Sequence, residues 1–450
     1  MQTPLNHQIY PEKINQLLAR NLNHNWHPCS QMKDHAEFPP VLIKKASGAY
    51  LTLEDGRQII DGISSWWCKS LGHGHPVIKA AIVQQLEQFE HVMFGDTTYE
   101  KVIQLSEKLS ELTPNLDKVL YASDGSCAVE ISLKMAIHAR VIRGETKRVE
   151  LMCLENAYHG ETALAMSVSD LGIYREPYES ILTKTHVLKG IPYVSGKSDP
   201  LWENCESHWA ALEAQLESCE ETLTAIILEP IVQGAAGMKI YSKDFLRRLR
   251  AWTNQHGIYL IADEIMTGFG RTGLRLACDH ADIEPDFLCL GKALTAGFLP
   301  MSAVLTSQKI YDLFYDDYSA GKSFLHSHTH TGNALAVSAS LAMFQVMEQE
   351  KIYQNLAVLE KNLMQSMGQI FSDTGLLENL RGIGAIVAAD FINPKNIPRL
   401  GFKVHKKALS EGALIRPIGN SLYWLLPLNT DLTTIKSLEV ITQRAFGSFC

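Results

Sequence analysis

Two hydrophobic periodicities alternate through the middle of this chain. In "TLTAIILEP" (222–230) a nearly unbroken apolar run stops at Glu229-Pro230, the pattern of a strand buried on both faces of a parallel sheet. The next segment, "SKDFLRRLRAWTNQHG", sets Phe245, Leu249 and Trp252 on one helical face, with Ser242 as N-cap and Gly257 as terminator. "IYLIAD" (258–263) then reads as another buried strand. Strand, helix and strand in that order form a crossover unit, so the two strands run parallel and the helix covers a sheet face.

The same texture extends upstream. "KVLYAS" and "VELMCL" read as strands flanking the helix "GSCAVEISLKMAIHARVI" (125–142). A further helix starts at Pro76, with Ile78, Ile82, Leu86 and Phe89 at helical spacing. Residues 174–200 carry turn formers and little periodicity, and read as a long surface excursion. Past about residue 333 the pattern changes to long amphipathic helices ("LAMFQVMEQEKIYQNLAVLEKNLMQSM") followed by the strand-like pieces "IGAIVAADF" and "SLYWLLPL". The chain thus reads as an α/β protein: a large domain with a mostly parallel sheet flanked by helices, and a smaller α+β domain.

Composition narrows the partners. The 450 residues are 46% hydrophobic and carry a formal net charge of −8 without any Lys/Arg-rich run, which argues against nucleic acid and for small-molecule substrates. No apolar run approaches the roughly 18 residues of a membrane span, and the first residues lack a basic start followed by an apolar core. Nine cysteines fall without C-x-x-C pairs, as expected in a reducing cytoplasm.

The candidate chemistry begins at "IYLIADEIMTGFGRTG", whose last six residues have the G-x-G-x-x-G spacing of a dinucleotide turn. Context defeats that reading, because "IMT" separates strand from glycines and no helical stripe follows Gly273. What remains is Asp263 at a strand's carboxyl end and Lys292 just past another apolar run, in "FLCLGK". Ligands of open α/β sheets bind outside those carboxyl ends. A lysine and a carboxylate there suit pyridoxal phosphate, the lysine forming the Schiff base and the carboxylate keeping the ring nitrogen protonated. At about 4 Å the ion pair between that carboxylate and the ring nitrogen is worth roughly 4 kcal/mol at an effective dielectric of 20. Taken alone, the pair also fits a turn-capping aspartate and a surface lysine.

More residues bear on the choice. "LIADEIMTGFGRTG" with "PDFLCLGKALTAGFLPMSA" resembles the signature of class III pyridoxal-phosphate aminotransferases, over nearly the whole chain. "DGISSWWCKSLGHGHP", "WHPCSQMKD", "HVMFG" and "ILEPIVQGAAGM" resemble the members that act in biotin synthesis, the tandem Trp66-Trp67 being the best marker. The resemblance implies fold type I, with residues 64–335 as the large cofactor-binding domain and 1–63 with 336–450 as the small one. It implies Lys292 as Schiff-base lysine and proton carrier, Asp263 on the ring nitrogen, and Ile265 and Tyr158 on the two ring faces. Gly125 and Ser126 would bind the phosphate at a helix N-terminus, and Thr329 would reach it from the other subunit of a homodimer with active sites at the interface. Trp66, Arg271, Ser327, Arg416 and Tyr423 would meet substrate, Arg416 by clamping a carboxylate. The reaction implied is amino transfer from S-adenosylmethionine to 8-amino-7-oxononanoate.

Three positions depart from that pattern: Cys29 where an aromatic follows His-Pro, Ser327-His328 where Gly-Pro is common, and Glu161 for aspartate. They leave lysine open as an alternative donor. Three other readings stand beside this one: a further class III enzyme acting on ω-amino acids or ornithine, a metal-dependent hydrolase built on the histidines of "HGH" (73–75) and "HSHTH" (326–330), and a non-catalytic binding protein that keeps the fold.

Overall fold

A computed structural model describes residues 11–447 and residue 449. The readings of the first ten residues and of Cys450 lie outside them. Seven strands make the central sheet: β1 (Lys118–Ala122), β2 (Glu150–Leu154), β3 (Thr185–Leu188), β4 (Leu223–Leu228), β5 (Tyr259–Asp263), β6 (Phe287–Leu290) and β7 (Ser302–Thr306). Their order across the sheet is β1-β7-β6-β5-β4-β2-β3. All neighbours are parallel except β7, which runs antiparallel to both β6 and β1. Every residue of β4, β5, β6 and β7 is buried, which is why their sequences read as apolar runs rather than alternations.

Helix α1 (Gly125–Ile142) follows β1, and α2 (Lys243–His256) connects β4 to β5. The ends of α2 follow from the sequence. The Ser242 hydroxyl accepts from the Phe245 N–H, and Gly257 leaves the helix at φ 62°. The long C-terminal helical stretch is two helices, α3 (Ala334–Gln349) and α4 (Ile352–Thr374), broken at Lys351 with φ 52°. Helix α3 packs against Pro76–Leu86.

Two expectations need correction. The helix from Pro76 stops at Leu86, which is exposed, and Phe89 lies beyond it. Gln85 is buried instead, its amide donating to the Phe89 carbonyl at 2.9 Å. The stretch 174–200 is also more than a surface excursion. It supplies the edge strand β3 and buries Leu188, Ile191 and Val194. A four-residue edge strand is too short to set up a periodicity, so only pairing with β2 gives it a place.

Three smaller sheets complete the structure, one of them formed by the short strands Tyr193–Val194, Lys239–Tyr241 and Val232–Gln233. Leu377–Ile383, Ile386–Phe391 and Ser421–Trp424 form an antiparallel three-stranded sheet. Ile43–Ser47, Tyr50–Leu53 and Gln58–Asp61 form another, joined by Ala413–Leu414, which pairs parallel with Gln58–Asp61 and so ties the two ends of the chain together.

The glycines of 268–273 serve this packing. The hairpin tip at Gly384 rests on them: the Ala385 N–H donates to the Arg271 carbonyl at 2.9 Å, and a Cβ on Gly384 would lie 2.3 Å from Gly273 N and from Thr272 C. Gly270, Gly273 and Gly384 have φ of 94°, 97° and 56°, values that side chains rarely tolerate. The obstacle at Gly384 is backbone and cannot swing aside. Gly384→Ala is therefore expected to destabilise the protein by more than about 2 kcal/mol, read as a lower thermal unfolding midpoint.

Candidate active site

Three adjacent parallel strands deliver three ionisable groups to one edge of the sheet. Glu229 follows β4, Asp263 ends β5, and Lys292 follows β6 after Gly291. Lys292 has φ 41° and reaches inward until its Nζ lies 5.1 Å from the centroid of the Trp67 ring. Burial pushes its ammonium below the usual lysine range, while the charges of Asp263 and Glu229 oppose that shift. Asp263 is buried, its Oδ1 accepting from the Ile265 N–H at 3.2 Å and its Oδ2 lying 2.8 Å from His159 Nδ1. Glu229 accepts from the Tyr158 N–H at 3.2 Å and the Gly234 N–H at 2.9 Å. Burial lifts its carboxyl to about 7, with His159 pulling down and Asp263 pushing up.

An anion site adjoins this trio. Helix α1 is capped by Asp124, whose carboxylate accepts from the Cys127 N–H, so Ser126 is not the N-cap. The first N–H groups of the helix, on Gly125 and Ser126, have no intrahelical acceptor, and the helix dipole adds positive potential there. Ser126 Oγ accepts from the N–H groups of Glu161 and Thr162 at 3.1 and 3.0 Å and draws that segment over the helix end. Ile265 sits between Gly125 and Gly291: a Cβ on either would approach it to 3.0 and 3.2 Å. Tyr158 is half-buried nearby, its hydroxyl donating to Glu161 Oε1 at 3.1 Å.

The opposite wall is aromatic and cationic. Ser64, Ser65, Trp66 and Trp67 all have left-handed φ (48°, 46°, 67° and 74°), at a cost of about 1–3 kcal/mol each. The turn turns the two indoles different ways. Trp67 is buried beside Lys292 and donates its indole N–H to the Tyr423 hydroxyl at 3.0 Å. Trp66 stays 44% exposed, with the Arg416 guanidinium 4.7 Å above its ring. Arg416 also donates to the Cys29 carbonyl. Arg271 is buried: Nη1 donates to the carbonyls of Ala385 and Leu426, and Nη2 has no protein partner. Burial lowers its guanidinium to about 9.

A family model for "Aminotransferase class-III" matches residues 31–443. The chain belongs to that family. An adenosylmethionine-8-amino-7-oxononanoate aminotransferase of Helicobacter pylori (strain ATCC 700392 / 26695) is 39% identical over 416 residues, covering 91% of this chain and 93% of that protein. Its counterpart in Aquifex aeolicus (strain VF5) is 36% identical, covering 90% and 91%. A crystal structure of the enzyme of that name from Methanocaldococcus jannaschii superposes with a TM-score of 0.89 at 31% identity, covering 96% of this chain and 99% of the other. A PLP-bound amine transaminase from an uncultivated Pseudomonas species gives 0.86 at 30% identity, covering 94% and 98%. This aminotransferase therefore has the α/β fold of the pyridoxal-phosphate transaminases and depends on that cofactor.

Its residues fit the cofactor. The helix end offers N–H donors to a phosphate, Asp263 offers a buried carboxylate to the ring nitrogen, and Lys292 an amine of lowered basicity to the aldehyde. Of the expected substrate residues, Arg416, Trp66 and Tyr423 join one wall through Trp67 and Cys29. Ser327 and Thr329 do not reach it within one chain. Both are exposed on a loop where the Thr329 carbonyl accepts from the His91 ring, while neighbouring His328 meets Ser123 beside the start of α1. The histidines of "HGH" hold carboxylates, His73 with Asp61 and His75 with Glu350.

Sequence reasoning missed three participants. His159 directly follows Tyr158 in the chain, but nothing in the sequence says that its ring meets Asp263. Glu229 directly follows its strand, so the strand-end argument made for Asp263 applied to it as well. Trp67, rather than Trp66, is the indole beside the lysine.

Glu229 also makes stability depend on pH. Its folded value of about 7 lies above the ordinary 4.5, so the stabilisation gained by keeping it protonated is complete below 4.5 and lost as pH rises through about 7. In Glu229→Gln the loss of thermal stability across that window is expected to shrink, by up to about 3 kcal/mol, in unfolding curves recorded against pH.

Proposed function

We propose that this aminotransferase moves the amino group of S-adenosylmethionine to 8-amino-7-oxononanoate, forming 7,8-diaminononanoate in biotin synthesis by a ping-pong mechanism. The observation that carries this reading is the agreement between relatives of that name, matched along nine-tenths of both chains, and a site that pairs Lys292 with a tandem-tryptophan wall.

Pyridoxal phosphate bound at this site supplies an electron sink for the carbon that bears the reacting nitrogen. The chain's own groups do the rest. Asp263, oriented by His159 and the Ile265 N–H, holds the proton on the ring nitrogen. The α1 N-terminus with Gly125 and Ser126 anchors the phosphate, and Ile265 and Tyr158 enclose the ring. Lys292 Nζ removes a proton from the donor's amine-bearing carbon, and in the second half-reaction delivers one to the former carbonyl carbon of the acceptor. Its lowered basicity suits both tasks, because a base works best near the working pH. Trp66, Trp67 and Tyr423 line the acceptor's aliphatic chain, and Arg416 takes its carboxylate. Arg271 offers its unpaired Nη2 at the same site.

The assembly proposed is a homodimer with active sites at its interface. The loop that carries Ser327 and Thr329 exposes Leu325 at 91% and lies close to the near-fully exposed Tyr318, apolar surface that a second subunit would cover. Residues 64–335 would form the large domain, and 1–63 with 336–450 the small one. The pairing of Gln58–Asp61 with Ala413–Leu414 supports that division. The free thiols of all eight described cysteines support a cytoplasmic location.

Lys292→Ala is expected to abolish the visible absorption of lysine-bound cofactor and to lower turnover by at least about 10⁴-fold. Assays of purified enzyme with 8-amino-7-oxononanoate and either S-adenosylmethionine or lysine test the donor. Product from lysine alone would replace the donor, and absence of product from both would sink the acceptor.

A further inference from the structure

One buried acid beside the tryptophan wall takes no part in the chemistry above. Asp61 closes its strand with 1% exposure. Its Oδ2 accepts from the Ser65 hydroxyl at 2.7 Å and meets His73 Nε2 at 2.9 Å, while Oδ1 lies 3.4 Å from the Ile63 N–H. The surrounding backbone is knitted to the same place. The Asp61 N–H donates to the Ala49 carbonyl at 2.8 Å, and His73 exchanges two backbone hydrogen bonds with Gly48, at 2.7 and 2.9 Å. The stretches around Ser65 and His73 therefore meet at one carboxylate, and Gly48–Ala49 is tied to the backbone on either side of it.

Ser65 is the second of the four left-handed residues, and that conformation persists only where the surroundings over-determine it. Ser64 supplies one restraint, its hydroxyl donating to the Leu425 carbonyl at 2.7 Å. Asp61 supplies another. A carboxylate suits the position because it accepts from several donors at once and offers no hydrogen of its own. The two residues that follow Ser65 carry the indoles beside Arg416 and Lys292.

We infer that Asp61, acting through Ser65 and His73, is a positioning residue for substrate: it fixes the left-handed Ser64–Trp67 turn and thereby sets Trp66 against Arg416 and Trp67 against Lys292. The inference rests on the reading of those tryptophans as the substrate wall.

The test compares cofactor-loaded wild type with Asp61→Asn, Ser65→Ala and the double variant Asp61→Asn/Ser65→Gly. Asp61→Asn is expected to raise the acceptor KM by about tenfold, a factor worth 1.4 kcal/mol of binding, with a smaller change in kcat. The near-ultraviolet circular dichroism of the tryptophans weakens, while the absorption of lysine-bound cofactor is retained. Glycine at 65 holds a positive φ unaided, so the double variant recovers part of the lost affinity. Unchanged KM and dichroism in Asp61→Asn, a defect confined to kcat, or a double variant no better than the single one overturns the inference. Should Asp61→Asn fail to fold, Ser65→Ala and His73→Gln carry the same comparison, each removing one arm of the clamp. The dichroism needs no substrate, and KM is measured with whichever acceptor the wild type uses. A wrong acceptor assignment thus appears in the wild type and leaves the comparison intact.

Discussion

Burial drives the Lys292 ammonium toward its neutral form, and the carboxylates of Asp263 and Glu229 pull it back toward the charged one. That balance is what the site requires, because a fully solvated lysine would hold its proton and an isolated buried one would not regain it. It needs three groups at fixed spacing in a water-poor edge of the protein. A parallel sheet provides this directly: β4, β5 and β6 are neighbours, and each ends in or runs into one of the three residues. The buried flanks of those strands then become a requirement of the chemistry as well as of folding.

Around this trio the chain stores a good deal of unfavourable backbone. Lys292, Ser64, Ser65, Trp66 and Trp67 all sit at positive φ without being glycine. Such residues persist when hydrogen bonds and packing leave no alternative, and both are present. Gly291 and Gly125 let Ile265 close against them, Asp61 and the Leu425 carbonyl restrain the serines, and Tyr423 anchors the Trp67 indole. Other residues, Lys351 and Arg399 among them, share that conformation, but no residue of the seven central strands does.

The tryptophan wall also joins parts of the chain that are distant in sequence. Cys29, Trp66 and Arg416 come from the N-terminal segment, the edge of the large sheet's domain and the C-terminal region, and they meet in one contact chain. The glycine loop 268–273 links the same regions from below, since the Gly384 hairpin rests on it and Arg271 reaches the Ala385 and Leu426 carbonyls. Small residues there allow two backbones to touch, so the C-terminal sheet and the central sheet hold one relative placement at the site.

Much of this was legible along the chain. Apolar runs identified β1, β2 and β4–β6, because strands of a sheet covered on both faces carry few polar residues. Ser242 and Gly257 fixed the ends of α2, because caps are satisfied locally. Asp263 and Lys292 stood out because strand ends carry position within a single segment. Edge strand β3 was not legible, since four residues beside β2 have no pattern until the sheet exists. Nor was the His159–Asp263 contact, which spans 104 positions, or the choice of Trp67 over Trp66 as the lysine's neighbour. Adjacent indoles are equivalent on paper, and only a left-handed turn clamped by Asp61 sends them to different sides. Which residues lie at strand ends and helix caps can thus be read along the chain, because local forces decide it. Tertiary structure alone decided which of them face one another, because that depends on contacts between segments that the chain keeps far apart.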